Sequence, residues 1–209
     1  MKGCPEHFKA PFITREKAWS EAEKVRKGFW PEGCVPVDVE SVVYRLGLKL
    51  EPIHELKQAG DIDALLRGDG TTIIVDADEY MDARMENRIR YSIAHELGHF
   101  VLHRDIYPEP FETLGEWVDF TERLPKDQWN FIEQHAYEFA GRLLVPREDL
   151  EAALGEVVGM AESRGFQDWD QSGDTAKDYL ASRICRGFGV SGEVIAKRLT
   201  REGLWPPRR

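Results

Sequence analysis

The chain has 209 residues, of which 42% are hydrophobic and 32% charged, and its formal net charge is −10. This length can form one well-packed core, or a core with a small appendage. No apolar run approaches the roughly 18 residues of a membrane span, and no export signal is visible at the N-terminus. The acidic balance argues against direct nucleic-acid binding, since proteins that hold nucleic acid usually present a basic face. We therefore expect a cytoplasmic protein with no membrane or nucleic-acid partner.

The first predicted elements are two helices. Apolar residues recur at helical spacing from about residue 14 to residue 27. Asp38 can cap a second helix that continues through Leu46, and Gly47 is typical of a helix end.

A small sheet is predicted next. Residues 48–53 alternate as a strand. The β-rich segments 64–66 and 71–75 flank Gly68-Asp69-Gly70, which is a strong hairpin signal.

Residues 90–103 read RYSIAHELGHFVLH and carry the most informative pattern of the chain. Side chains four residues apart share one face of a helix, so His95 and His99 can bind one metal ion. Glu96 stands beside them and can accept a proton from a water molecule that the metal activates. The pattern predicts a zinc site with Glu96 as the general base, on a helix that begins between residues 81 and 85.

Two further residues of this helix carry information. Gly98 costs roughly 1 kcal/mol relative to alanine in a helix interior, which suggests that another backbone approaches closely there. His103 lies about 80° around the helix from His95, beyond direct reach of the metal if the helix is straight. We expect His103 to have a structural role or to support a metal ligand.

The following segment, residues 104–126, is long for a connection in a compact domain. A lid or specificity element, disorder and a small extra helix all remain open. Tyr107 in this segment and Tyr137 further on each carry a hydroxyl that could donate to a developing oxyanion. The sequence does not choose between them, and packing is the commoner role of a tyrosine near a core.

A catalytic zinc usually takes three protein ligands, and residues 129–146 offer the third on another helix. Glu133 shares a helix face with small and apolar side chains, where a metal would offset the cost of burying its charge. His135 is the rival ligand, but two residues turn a helix by about 200°, so it faces nearly the opposite way. Glu133 is therefore favoured, and Pro146 ends the helix.

The C-terminal residues predict a helix pair. Residues 174–188 form one helix, a turn follows, and Ser191 caps a second helix. If this pair bound DNA as a helix-turn-helix does, the second helix would read the major groove with Glu193, Lys197, Arg198 and Arg201. The acidic composition argues against DNA binding, so a packing or partner-docking helix pair is favoured.

Two of these stretches resemble the ImmA/IrrE metallopeptidases, compact bacterial and phage zinc proteases that cut repressor proteins. Residues 90–103 are similar to the active-site helix of that family. The stretch Glu133-x-x-Ala136-x-x-Phe139-Ala140-x-x-Leu143-Leu144-x-Pro146 is similar to the second motif of that family. The resemblance implies that His95, His99 and Glu133 bind zinc and that Glu96 is the catalytic base. One departure is Tyr137, which stands where family members commonly carry Asn or Asp and so removes an expected hydrogen-bonding partner of a histidine ligand.

The predicted elements amount to an α+β fold. The resemblance implies a zincin-like version, with a small sheet and hairpin packed on the active-site helix. Residues 1–150 would form the metallopeptidase core and residues 151–209 a helical, helix-turn-helix-like segment packed on it. In zinc proteases of similar architecture the strand before this helix pairs with extended substrate. Residues 71–76 or their hairpin partner are thus expected to line the cleft, with ordinary sheet packing as an equal alternative.

The sequence as a whole predicts a zinc-dependent endopeptidase, although manganese or iron could replace zinc at a His/His/Glu site. By resemblance, its substrate is a helix-turn-helix repressor, and cleavage relieves repression in a stress response. The acidic surface would attract a partner with an exposed basic surface. The alternative is a DNA- or repressor-binding regulatory protein whose zinc is structural and which catalyses nothing.

Overall fold

The computed structural model describes residues 8–104, 114–166 and 169–207. Tyr107, one of the two candidate oxyanion donors, lies outside the described residues. Within those ranges, no helix combines the length and the apolar character that crossing a membrane requires.

Two helices open the chain, α1 (Arg15–Phe29) and α2 (Val39–Arg45). The Thr14 side chain accepts a hydrogen bond from a backbone N–H of the first turn of α1. Asp38 caps α2 in the same way. These side-chain oxygens satisfy N–H groups that have no partner inside the helix. Both predicted helices are confirmed.

The sheet has three strands, β1 (Lys49–Ile53), β2 (Ala64–Leu66) and β3 (Thr72–Asp76), in the order β1-β3-β2. β1 runs parallel to β3, and β2 runs antiparallel to it. A short helix that the sequence did not predict, α3 (Leu56–Gly60), connects β1 to β2. The hairpin of β2 and β3 is confirmed, and Gly70 in its turn has a φ of +65°, a conformation that favours glycine.

The central strand β3 is buried on both faces. Ile73 and Val75 point into the main hydrophobic core, whereas Ile74 packs with Leu56 and Leu65 in a smaller cluster. This division follows from the alternation of side chains along a strand. The sheet therefore separates two apolar clusters.

Five helices follow the sheet: α4 (Ala77–Tyr80), α5 (Glu86–His103), α6 (Leu114–Arg123), α7 (Lys126–Leu144) and α8 (Arg147–Glu162). α5 begins one residue after the predicted interval, and α7 ends before Pro146 as expected. α6 shows that part of the segment 104–126 is a small helix, which was one of the three open possibilities. α8 was not predicted.

The chain ends with α9 (Trp169–Phe188) and α10 (Gly192–Arg201). The backbone of α9 is non-helical at Gly173, and the part after this kink coincides with the predicted helix 174–188. Ser191 caps α10 as predicted. Both helices contribute side chains to the main hydrophobic cluster. The division at residue 150 falls inside α8 and stays a prediction.

The described residues are mainly helical, with one small three-stranded sheet. The predicted α+β class is therefore confirmed.

Candidate metal centre

Two histidines of α5 form the centre of the site. His95 and His99 lie one helical turn apart, and their Nε2 atoms are separated by 3.0 Å. Both side chains are buried. The spacing of four residues therefore brings two potential metal ligands together, as the sequence predicted.

Glu133 of α7 reaches the same point. Its Oε2 atom lies 3.2 Å from Nε2 of His95, and its Oε1 atom lies 3.4 Å from Nε2 of His99. Burial alone raises the pKa of Glu133, but the hydrogen bonds with the two histidines outweigh it and hold that pKa well below the usual range. Glu133 is thus an anion, as a metal ligand must be.

The close approach of α5 and α7 depends on Gly98. A Cβ atom built at Gly98 would lie 3.0 Å from Cα and 3.2 Å from the carbonyl oxygen of Ala136. Only a residue without a side chain can stand there while the helices keep this separation. The expectation that another backbone meets Gly98 is confirmed, and that backbone belongs to the helix that carries Glu133.

Glu96 is a second carboxylate near the histidines, and the potential ligand atoms of His95, Glu96 and His99 lie within 4.8 Å of one another. However, Oε2 of Glu96 accepts a hydrogen bond of 2.7 Å from the backbone N–H of Leu66. Burial raises the pKa of Glu96, against the opposing influence of the two histidines. These contacts favour Glu133 over Glu96 as the third ligand.

The donor set fits a divalent cation. Tetrahedral ligands at the bond lengths that zinc makes to nitrogen and oxygen lie about 3.3–3.6 Å apart. The observed separations among the Nε2 atoms and the Glu133 oxygens are 3.0, 3.2 and 3.4 Å. Three such ligands leave the fourth position of a tetrahedral ion to water or substrate.

His103 and His135 are not among these converging donors. Nδ1 of His103 lies 3.1 Å from Nδ1 of His99, and Nε2 of His103 lies 3.2 Å from Nδ1 of His135. His103 is fully buried, which lowers its pKa to about 2 and keeps the ring neutral. His103 therefore contacts the candidate ligand His99 through Nδ1, the nitrogen that does not face His95 and Glu133, and His135 lies behind His103 rather than beside Glu133.

Tyr137 lies beside the other histidine. Its ring centroid is 4.5 Å from that of His95, and 45% of its surface is exposed. Within residues 8–104, 114–166 and 169–207, the buried Nδ1 atom of His95 has no hydrogen-bond partner. This agrees with the expectation that Tyr137 supplies no hydrogen-bond acceptor for a histidine ligand.

The site opens into a cleft of about 790 Å³. One wall is the edge strand β2 with the turn that follows it, and the other is formed by α5 and α7. It is therefore the hairpin partner of residues 71–76 that borders the cleft, which is one of the two expected arrangements. Trp117 of α6 and Trp129 of α7 also line it, with ring centroids 6.2 Å apart.

Sequence reasoning missed two features of the cleft. Trp129 precedes Glu133 by four residues, so the helical wheel that selected Glu133 could have found it. Its ring is nearly parallel to that of His99, at 6.3 Å between centroids. The backbone N–H of Leu66 left no signal, because a main-chain group is the same in every residue.

The basic side chains of α10 are engaged within the protein. Arg198 is buried and paired with Glu202, and Arg201 pairs with Glu138 of α7. Lys197 of the same helix forms an ion pair with Glu193. A helix held in this way is poorly placed to read a DNA groove, which favours the packing interpretation of the C-terminal helix pair.

Comparison with known families agrees with the geometry. Residues 82–200, more than half of the chain, match the family model Peptidase_M78, described as IrrE N-terminal-like domain. The matched range includes α5 and α7, and so every converging donor. No curated protein matches the chain closely enough to count as a relative. The chain therefore belongs to the IrrE-like metallopeptidase family Peptidase_M78, as its resemblance to the ImmA/IrrE proteins predicted.

Proposed function

We propose that this protein is a zinc-dependent endopeptidase with a zincin-like active site. His95, His99 and Glu133 hold the metal, and Glu96 transfers the proton. The observation that carries this proposal is the convergence of the three donors beside Glu96 on one wall of an open cleft. A metal that served only structure would have no use for an additional buried carboxylate at this position.

When bound, zinc supplies Lewis acidity, which polarises a peptide carbonyl and acidifies water. Glu96 supplies the base. The Leu66 N–H fixes one of its carboxylate oxygens, so the other remains to accept a proton from the attacking water. Burial raises the pKa of Glu96, so that the carboxyl group can hold this proton and return it to the leaving amine.

The edge of β2 is the proposed docking strand for an extended peptide. Asp63 and Arg67 exchange backbone hydrogen bonds with β3, at 3.0 and 2.8 Å. Because antiparallel strands alternate their bonding direction, the backbone groups of Ala64 and Leu66 face the cleft instead. The Leu66 N–H is held by Glu96, and the other groups are in position to bind a substrate backbone. The strand that would bind the substrate therefore also holds the general base of α5 in place, through the Leu66 N–H.

The proposed substrate is a DNA-binding repressor of the helix-turn-helix class, and its cleavage would relieve repression in the cytoplasm. The family resemblance and the net charge of −10 support this, since such a repressor presents a basic surface. No direct contact with DNA is required, and none is expected from the engaged arginines of α10. A mobility-shift assay in low salt should detect no complex. Binding that falls steeply with added salt would indicate phosphate contacts instead.

Metal content and cleavage test the proposal together. The purified protein should contain close to one zinc per chain by elemental analysis, and His95→Ala should lose it. Glu96→Gln should retain the metal while cleavage of a candidate repressor falls by about 10²–10⁴-fold. His54→Ala is the matched control, since His54 is exposed and lies outside the cleft. Glu96→Gln that cleaves at the wild-type rate would overturn the role of Glu96. A chain that binds zinc but cleaves no repressor would favour the non-catalytic alternative.

A further inference from the structure

We propose that His103 and His135 are positioning residues that fix the tautomer of His99. This inference rests on the proposed function, because it takes His99 as a zinc ligand through Nε2. It assigns a role to two buried histidines that the proposed chemistry does not otherwise use.

Three imidazoles form a continuous chain that leads away from the metal position. Nδ1 of His99 lies 3.1 Å from Nδ1 of His103. Nε2 of His103 lies 3.2 Å from Nδ1 of His135, and His135 makes a hydrogen bond with the backbone of Ile13. All three rings are buried, and the ring of His103 is 0% exposed. Water is therefore a poor substitute for any link of the chain.

The position of every proton in this chain follows from its two ends. A neutral imidazole has one N–H and one lone pair. If Nε2 of His99 offers its lone pair to a cation, its Nδ1 carries the proton and donates to Nδ1 of His103. The proton of His103 is then on Nε2 and is donated to Nδ1 of His135. Since Nδ1 of His135 faces His103, Nε2 is the nitrogen left to donate its proton to the backbone of Ile13.

The opposite direction of donation would disable the ligand. If Nδ1 of His103 donated to Nδ1 of His99, the proton of His99 would be on Nε2 and would face the cation. The chain selects against this tautomer because the far nitrogen of His103 would then lack its proton, and the near nitrogen of His135 would have to donate to it. The backbone carbonyl beyond His135 would lose its donor. The hydrogen bonds thus favour the one arrangement in which His99 can bind a metal.

His95 provides an internal comparison. Its Nδ1 is buried without a hydrogen-bond partner in the part of the chain that the structure describes. Two ligands of the same type are therefore held differently, one by a chain of imidazoles and the other by its helix and its neighbours alone. Without His103, Nδ1 of His99 should lack a hydrogen-bond partner, as Nδ1 of His95 does.

The experiment uses four variants and measures the zinc dissociation constant by competition with a chelator. His103→Leu removes the acceptor for His99 and should weaken zinc binding by about 10–100-fold, the usual effect of losing such a partner. His103→Asn should bind within a few-fold of wild type, since its carbonyl oxygen occupies the place of Nδ1. His103→Gln carries its amide where Nε2 stands and should not restore binding. His135→Ala, which does not touch His99, should have a smaller effect in the same direction.

Two controls separate positioning from packing. The melting temperature of each metal-free variant reports packing, and the visible absorption spectrum of the cobalt-substituted protein reports the ligand field of the site. His103→Leu should change the cobalt spectrum, whereas His103→Asn and the surface variant His54→Ala should not. If His103→Leu is too unstable to purify, His103→Gln and His135→Ala still carry the test.

Each outcome decides the inference. Equal zinc affinity in wild type and all His103 variants overturns it, as do equal losses in His103→Asn and His103→Leu. A wild-type chain that takes up no zinc overturns the proposed function and the inference together. A wild-type chain that binds zinc but cleaves nothing affects the proposed function only, because zinc affinity is measured without turnover.

Discussion

Replacing Gly98 with alanine tests whether the contact between α5 and α7 builds the metal centre. Helix propensity alone predicts a gain, since alanine is better than glycine by roughly 1 kcal/mol in a helix interior. The structure predicts a loss, because the new Cβ would lie 3.0 Å from Cα of Ala136. Ordinary carbon contacts are about 3.5–4.0 Å, so the two backbones must separate by about 0.5–1 Å.

The magnitude follows from these two opposing effects. Overpacking of this kind costs about 1–3 kcal/mol, which cancels or exceeds the gain in propensity. Gly155 in α8 is the matched control, because a Cβ there would meet nothing within 4 Å. Gly155→Ala should stabilise the protein by about 1 kcal/mol. The two variants should therefore differ by about 1–3 kcal/mol, and each kcal/mol shifts the Tm of a chain of this size by about 2–4 °C.

Urea unfolding of the metal-free variants measures this difference, and chelator competition measures zinc binding. Gly98→Ala should also bind zinc at least about tenfold more weakly, because separating the helices moves the Glu133 oxygens away from the histidines. The reasoning is refuted if Gly98→Ala is as stable as Gly155→Ala, or if both variants bind zinc as wild type does.

Three further predictions concern the sheet, the cleft and the buried ion pairs. Burial raises the pKa of Asp76, but three backbone N–H bonds outweigh it and lower that pKa below the ordinary value of 3.8. Asp76→Asn should therefore lower the free energy of unfolding by about 1–3 kcal/mol at neutral pH. In urea unfolding, this difference from the wild type should shrink as the pH falls below about 4, because protonation of Asp76 removes the same stabilisation from the wild type. Trp117→Ala should lower kcat/KM about tenfold for peptides with a large apolar residue beside the scissile bond, whereas Phe131→Ala, which changes an exposed residue of α7, should leave it unchanged. Glu202→Gln should lower the free energy of unfolding, measured by thermal unfolding, by about 3–5 kcal/mol, because it leaves buried arginines without their negative partner. Arg198→Met should be nearly neutral, since Glu202 keeps two other arginine partners. Equal losses in these last two variants would contradict that account.

The local part of the site could be predicted from sequence. His95 and His99 are four residues apart, and helix geometry alone places them on one face. Glu133 could be predicted because small residues share its face and mark where another helix comes close. Gly98 gave the complementary signal, since a glycine in a helix interior needs a compensating contact. These inferences used only periodicity and the size of side chains.

The long-range contacts could not be predicted in this way. Nothing in residues 64–66 indicates that the Leu66 N–H would meet Glu96, because the contact depends on how the edge strand packs against α5. α8 was missed because Pro146 signals the end of one helix equally well as the start of another, and here it does both. The kink at Gly173 illustrates the reverse case, where the predicted start at residue 174 was correct because glycine interrupts the helix there.

The relation between Glu133 and His135 shows why a correct geometric argument gave an incomplete result. The two residues are separated by about 200° on α7, which excludes them from sharing one metal ion. However, Ala136, which meets Gly98, lies between their directions, about 60° from Glu133 and about 100° from His135. Glu133 can therefore reach α5 on one side of the contact with Gly98, and His135 can reach it on the other. It follows that Gly98→Ala should disturb both the third ligand and the imidazole chain, so its effect on zinc affinity should exceed that of His135→Ala.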